Sequence, residues 1–247
     1  MFQKLMTGAL IAGGAAGVLA AFLHFAFVQN YILLGERYEF GDVVHFQTTP
    51  AETHAHEAPG ATAPVAEAGA HDHSRTAPSA ESDLSRDALT VAFTVVLYAA
   101  YAMLLFAAFG LASQFGVTIG TTQGALWGLA GFAAFQLAPA MGLPPELPGT
   151  VAADLSARQV WWWGTVFATG LGIAMIAYGQ SLVLALVGAA VLAAPHVIGA
   201  PHLDEYFSYA PAEVGAAFSA RVLGVGLLVW VFMGAVAGRH WSRSLAS

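Results

Sequence analysis

The chain has 247 residues, 57% of them hydrophobic and only 9% charged, where an ordinary soluble domain carries about 25% charged residues; this is the composition of a membrane protein. Eight Lys and Arg against 15 Asp and Glu give a net charge of −7, and without a basic cluster nucleic-acid binding has no electrostatic footing. No cysteine is present, so disulfides and thiolate metal sites are excluded and any metal chemistry falls to His, carboxylates, Met and backbone oxygens.

A helix that crosses a bilayer needs about 20 predominantly apolar residues. Six stretches meet or approach that length without one Asp, Glu, Lys or Arg: 5–28, 88–112, 120–138, 160–178, 182–200 and 222–238. They predict an all-α, polytopic bundle of about six transmembrane helices, a single membrane domain over 1–247. The first run is longer than the 7–15 apolar residues typical of a signal peptide, so it reads as a retained span. Only Gly179, Gln180 and Ser181 separate the fourth and fifth runs, which demands a tight hairpin.

Basic residues mark the cytoplasmic side of short flanking segments. Lys4, Arg239 and Arg243 lie in two short tails, whereas Arg37, Arg75, Arg86, Arg158 and Arg221 are spread over longer, acid-rich connections. Both termini are therefore expected on the cytoplasmic side. The segment 29–87 becomes an outer loop holding ten of the 15 acidic residues.

Small residues at a spacing of four let helix backbones approach. Gly13 and Gly17, Gly120, Gly124 and Gly128, and Gly234 and Gly238 predict packing seams within the chain. Trp161, Trp162 and Trp163 read as an interfacial aromatic belt, and Arg158 before them is expected to pair with Asp154, a loop carboxylate or lipid headgroups.

From about 47 to 87 the outer loop is rich in Ala, Pro, Thr, Ser, Glu and His, a composition that cannot bury enough surface to fold alone. It contains His54 and His56 beside Glu57, and His71 and His73 around Asp72. Imidazole with carboxylate suits borderline divalent cations, so these residues are candidates for metal capture.

Polar groups inside a membrane are expensive and usually functional. Two His fall within spans, His24 near the end of the first and His196 near the end of the fifth, beside Pro195 and followed by His202. With both spans running outward, the two His share a depth. The third span ends in Gln136 and then in Pro139, Pro144, Pro145 and Pro148 around Glu146. Prolines end the helix there and leave carbonyls without amide partners. Glu36 and Glu39, just past the first span, are expected to flank the same vestibule.

No span carries a carboxylate of the kind that proton-driven carriers use, and no phosphate-binding Gly-rich loop or hydrolase motif can be placed. The reading is of a non-enzyme that carries no cofactor of its own.

Several blocks together resemble one family. They are Gln29-Asn30-Tyr31 with Glu36-Arg37-Tyr38-Glu39, Gln136 to Pro139 with Gly142 to Gly149, Arg158-Gln159-Val160-Trp161-Trp162, and Pro195-His196 with Gly199-Ala200-Pro201. This pattern is similar to the CbtA family of predicted cobalt transporter subunits, over most of the chain. The resemblance implies an inner-membrane protein that moves Co²⁺ inward for cobalamin synthesis with a small single-span partner, a CbtB-like subunit. On this reading His24 and His196 are the inner metal ligands, and Glu36, Glu39 and His202 stand at the entrance. Carbonyls near Pro139 or Pro195 complete the sphere, with Gln136 and Glu146 lining the path. Ni²⁺ and Zn²⁺ accept the same donors. The alternatives are a non-transporting metal-binding scaffold in the membrane and, further off, a haem-binding electron-transfer subunit that uses the two span histidines as axial ligands.

Overall fold

The computed structural model describes residues 2–44 and 83–246. The elements in order are α1 (Phe2–Phe27), α2 (Gln29–Glu39), α3 (Leu84–Gln114), α4 (Thr121–Phe132), α5 (Ala138–Ala140), α6 (Leu155–Tyr178), α7 (Leu182–Ile198) and α8 (Ala212–Ala246), with a π-helical turn, Ala133–Leu137, joining α4 to α5. The all-α membrane bundle expected from the sequence is what the chain forms. The capture residues His54, His56, Glu57, His71, Asp72 and His73 lie outside the described residues.

All six apolar stretches are helical, but they are not equivalent. Among the described residues four helices are long and apolar enough to cross a membrane: 23 residues of α1, the 31 of α3, the 24 of α6 and 33 of α8. At 1.5 Å per residue the 23 residues of α1 reach about 35 Å, against a hydrocarbon core of about 30 Å. The third expected span, 120–138, forms the helical run 121–140, interrupted by the π turn. The fifth is the 17-residue α7, with Pro195 inside its last turn, and at about 26 Å it falls short of that core.

Boundaries also move. α8 begins ten residues before the expected 222 and brings Glu213 and Arg221 into the helix. α3 starts at Leu84, so the last residues assigned to a disordered loop form its first turn. The loop start is instead an unanticipated helix, α2, which continues from α1 after a break at Val28.

Helix starts obey ordinary capping chemistry. The Asp83, Asp154 and Ser181 side chains accept from the amides of Ser85, Ala157 and Leu184, meeting donors that a helix N-terminus leaves free. The Ser85 hydroxyl and amide hold Asp83 below the usual carboxylate range, and the Ser156 hydroxyl and Ala157 amide do the same for Asp154. Each cap is fully charged above that range and is lost only as pH falls below it.

Four seams assemble the bundle: α4 against α8, α1 against α3, α6 against α7, and α1 against α8. All run antiparallel, as the glycine pairings show. A methyl at Gly17 of α1 would come within 2.5 Å of the Val95 Cα in α3, and one at Gly172 of α6 within 2.6 Å of the Gly188 carbonyl in α7. In the α4–α8 seam Gly124 meets the Gly234 carbonyl and Gly128 that of Trp230. The glycines singled out in the sequence are thus intramolecular seams, and Gly172 with Gly188 adds one that went unnoticed.

The main core is built from the small faces of α1 and α3 with Phe106, Phe109, Val229, Trp230 and Met233. A second, smaller core at the outer end packs Val28, Leu147, Ala210 and Phe218, with Tyr31 and Ile32 of α2 against them. Arg221 lies 4.3 Å over the Tyr31 ring and adds a cation–π contact to this outer layer. Large side chains such as Phe22, Phe93, Phe167 and Leu186 stay on the outside, where hydrocarbon covers them.

The glycine seam is directly testable. Gly124→Ala sets a methyl against the Gly234 backbone, whereas Gly164→Ala meets nothing within 4 Å. The first is expected to lower stability by about 1–3 kcal/mol and the second to leave it unchanged or raise it, as read by thermal unfolding of the detergent-solubilised protein.

Candidate functional site

The ends of α1, α5 and α7 and the starts of α3, α6 and α8 all lie at one end of the antiparallel bundle, and most of the polar side chains named from the sequence are gathered there. The proline-rich segment after α5 is pinned from several sides. Gly142 leaves no room for a side chain, since a methyl would sit 2.6 Å from Trp161 and 2.7 Å from Ala200. The Ser219 hydroxyl donates to the Pro145 carbonyl at 2.6 Å. Gly149 takes a left-handed φ of +78°, and a methyl there would crowd Tyr209 and the stem of Glu39, so glycine is required on both counts.

Two adjoining cavities open beside this segment. The outer one, about 680 Å³, is lined by Glu146, Arg158, Thr150, Ser208, Ser219 and the exposed His202. The deeper one, about 410 Å³, shares Glu146 and Arg158 and continues past Pro139 to Gln136. Arg158 donates to Glu146 at 2.8 Å across their common wall. Of the partners expected for Arg158, the structure selects a loop carboxylate; Asp154 caps α6 instead. The pair is about a quarter to a third exposed, so an arriving cation can compete with the guanidinium for the carboxylate.

A second polar group sits where α1, α2 and α3 meet. Both Arg86 nitrogens donate to the two Glu36 oxygens, a forked geometry that fixes both side chains. Gln29 donates to Asp87 at 3.1 Å, and His24 lies within electrostatic reach of Asp87 and Arg86. Glu36 is therefore tied to an arginine from α3, and Glu39 is exposed, beside Gly149. Asp87 escaped the sequence reading because it lay in the stretch assigned to the loop. Its spacing of four from the capping Asp83 was the available signal.

His196 and His24 are not brought together. α1 packs on α2, α3 and α8, while α7 packs on α6, and among the described residues α1 and α7 share no contact. The His196 ring meets the Trp161 ring edge-on at 6.1 Å, and its buried Nε2 has no hydrogen-bond partner. Near the two prolines of the expected ligand sphere, the carbonyls of Pro139 and Pro195 themselves are occupied. That of Pro139 accepts from Leu143 at 2.8 Å, and that of Pro195 accepts from Gly199 at 3.0 Å and from the Trp161 indole at 3.1 Å. Among the described residues no three His, Asp or Glu converge on a point that could hold a metal ion.

The three tryptophans divide their work. Trp163 is half exposed and stacks on Phe167, as an interfacial residue would be. Trp162 lies against Phe135. Trp161 is buried and bonded to Pro195, so it is the tie between α6 and α7 and not part of a belt.

The profile of the family described as "Probable cobalt transporter subunit (CbtA)" matches residues 2–242, from the first turn of α1 into the last turns of α8. The chain belongs to this family. No curated relative and no solved structure matches it. As a CbtA-family protein it is a multi-pass membrane protein with a role in cobalt transport, and the family description makes it one subunit of a transporter.

The Glu36–Arg86 pair gives a prediction for the outer end. Glu36→Gln leaves the half-buried guanidinium without its carboxylate, and thermal unfolding should register a loss of about 1 kcal/mol that shrinks as salt is raised.

Proposed function

We propose that the chain is the multi-span subunit of a Co²⁺ uptake system in a bacterial inner membrane, serving cobalamin synthesis and working with a small single-span CbtB-like subunit. The observation that carries this is the family match, which runs through every helix of the bundle. The positive residues of the two short tails support cytoplasmic termini, which puts the cavities on the outer side.

Cobalt is the substrate here, and the donors offered to it are nitrogen and oxygen, which Co²⁺ accepts. The His-bearing loop raises the local cation concentration through His54, His56, Glu57, His71, Asp72 and His73. His202 and Glu146 receive the ion in the outer cavity, where it displaces Arg158 from Glu146. His196, with its unpaired Nε2 behind Trp161, and His24 beside Asp87 are the further ligands, with Glu36 and Glu39 shaping the field around α2. Modest affinity at each of several positions suits a path that must also release its ion. Imidazole ligands must be neutral, so capture weakens as pH falls and the histidines protonate.

The test is uptake of radioactive Co²⁺, with Ni²⁺ and Zn²⁺ as competitors, in cells that express the chain with and without its small partner. Cobalt-selective uptake should fall about tenfold in Glu146→Gln, the factor a lost contact to a charged group is worth. It should weaken at low cobalt only when residues 50–80 are deleted. Absence of uptake under every condition would overturn the transport reading and leave the membrane scaffold in its place.

A further inference from the structure

The two ends of the bundle carry opposite charge. Every carboxylate among the described residues, from Glu36 in α2 to Glu213 at the start of α8, lies at the end that holds the proline-rich segment. The opposite end is formed by the start of α1, the end of α8 and the α3–α4 and α6–α7 turns. It carries Arg239, His240 and Arg243 and, among the described residues, no carboxylate. Neither arginine is in an ion pair there. The helix termini do not supply the missing negative charge. The free carbonyls that end α8 are equivalent to about −0.5 charge, and the free amides that start α1 beside them to about +0.5. The first turn of α1 has no acidic residue, so the two dipoles cancel and two full positive charges remain.

Between these two helix ends opens a cavity of about 480 Å³, with Gln3 and Thr7 of α1 on one wall and His240, Arg243 and Ser244 of α8 on the other. Gly8 lines it where the helices meet. A methyl there would come within 3.0 Å of the Phe106 ring and 3.3 Å of the His240 stem. Ile11, half exposed, forms the edge toward the membrane interior. The membrane-crossing part of α1 starts at Leu5 and the apolar run of α8 ends at Gly238, so the cavity straddles the boundary between headgroups and hydrocarbon. The Thr7 hydroxyl donates to the Gln3 carbonyl at 2.9 Å and the Ser244 hydroxyl to the His240 carbonyl at 2.8 Å. Both hydroxyl oxygens are thereby left as acceptors, while the Arg243 guanidinium, the Gln3 amide and a His240 ring N–H are the donors of the set.

We propose that this cavity binds the headgroup of an anionic glycerophospholipid, with the phosphodiester on Arg243, His240 and Gln3 and an acyl chain running past Ile11. Guanidinium matches phosphate in both charge and geometry. Hydroxyls of the headgroup, as in phosphatidylglycerol, supply the protons that the Thr7 and Ser244 oxygens accept. A free phosphate would meet the same donors but would leave Ile11 without an apolar partner. The bound lipid spans α1 and α8, and α1 in turn packs on α3 and α8 on α4, so it braces the junction between the two halves of the main core. The assignment does not depend on which ion the chain carries.

The full chain in non-ionic detergent, titrated with dioctanoyl phosphatidylglycerol, dioctanoyl phosphatidylcholine and inorganic phosphate, tests this by native mass spectrometry and thermal unfolding. Phosphatidylglycerol should saturate one site and raise the unfolding temperature, with the other two probes binding more weakly. Arg243→Gln should weaken phosphatidylglycerol binding about tenfold, the factor of one lost contact to a charged group, and His240→Gln by a smaller factor. Arg239→Gln removes the same charge from the same end but not from the cavity wall, and should leave the affinity within about twofold because exposed charges at a distance are screened. Equal losses in Arg239→Gln and Arg243→Gln would mean attraction by net charge alone and overturn the site. Phosphatidylcholine or inorganic phosphate binding as tightly as phosphatidylglycerol would overturn the anionic lipid as its ligand. Should Arg243→Gln fail to fold, an unchanged affinity in His240→Gln overturns the assignment by itself.

Discussion

The contact on which the rest of this bundle depends is the backbone-to-backbone approach of α4 and α8. Without a hydrophobic force between helices in lipid, association comes from close van der Waals packing, and here Gly124 and Gly128 lie directly against Gly234 and the backbone at Trp230. α8 also packs along α1, and α1 along α3, so the seam ties the two halves of the main core together. Its register is what brings Gly226 opposite the π turn and leaves a notch for an amide oxygen. A one-residue slip along that seam would close the notch with a side chain.

The outer end is organised on a different principle. Prolines break the helical hydrogen-bond ladder, and the prolines' own carbonyls are met by donors: Pro139 by the Leu143 amide, Pro145 by the Ser219 hydroxyl, and Pro195 by the Gly199 amide and the Trp161 indole. This satisfies the rule that irregular backbone at membrane depth needs partners, and it removes those carbonyls from the pool of cation ligands. Glu146 is held by Arg158 and Glu36 by Arg86, so both carboxylates carry a counter-charge.

Much of this was legible in the chain itself. Apolar run length fixed the helices, four-residue glycine spacing marked the α1, α4 and α8 seams, and the proline block marked where the third apolar run had to end. The family pattern was readable because its residues sit in compact blocks. The helix α2 was not legible, because its polar and charged residues resemble a loop until Tyr31 and Ile32 find the outer core. Nor was the early start of α8, where Glu213 and Arg221 interrupt the apolar signal although the helix simply extends past the hydrocarbon.

Sequence alone determined the membrane environment, the helical class and the residue types available to a cation, since these come from composition and from periodicities local to each helix. Only the tertiary structure decided which of those residues meet. His24 and His196 share an expected depth but sit on helices with different neighbours, and depth is one coordinate where a site needs three. Glu36 finds Arg86 across 50 positions of sequence, and Glu146 finds Arg158. Gln136 faces Gly226 because a π turn shifts one helix face against another. Such pairings depend on helix–helix register, which is set by packing between segments far apart in the chain and is written in no single one of them.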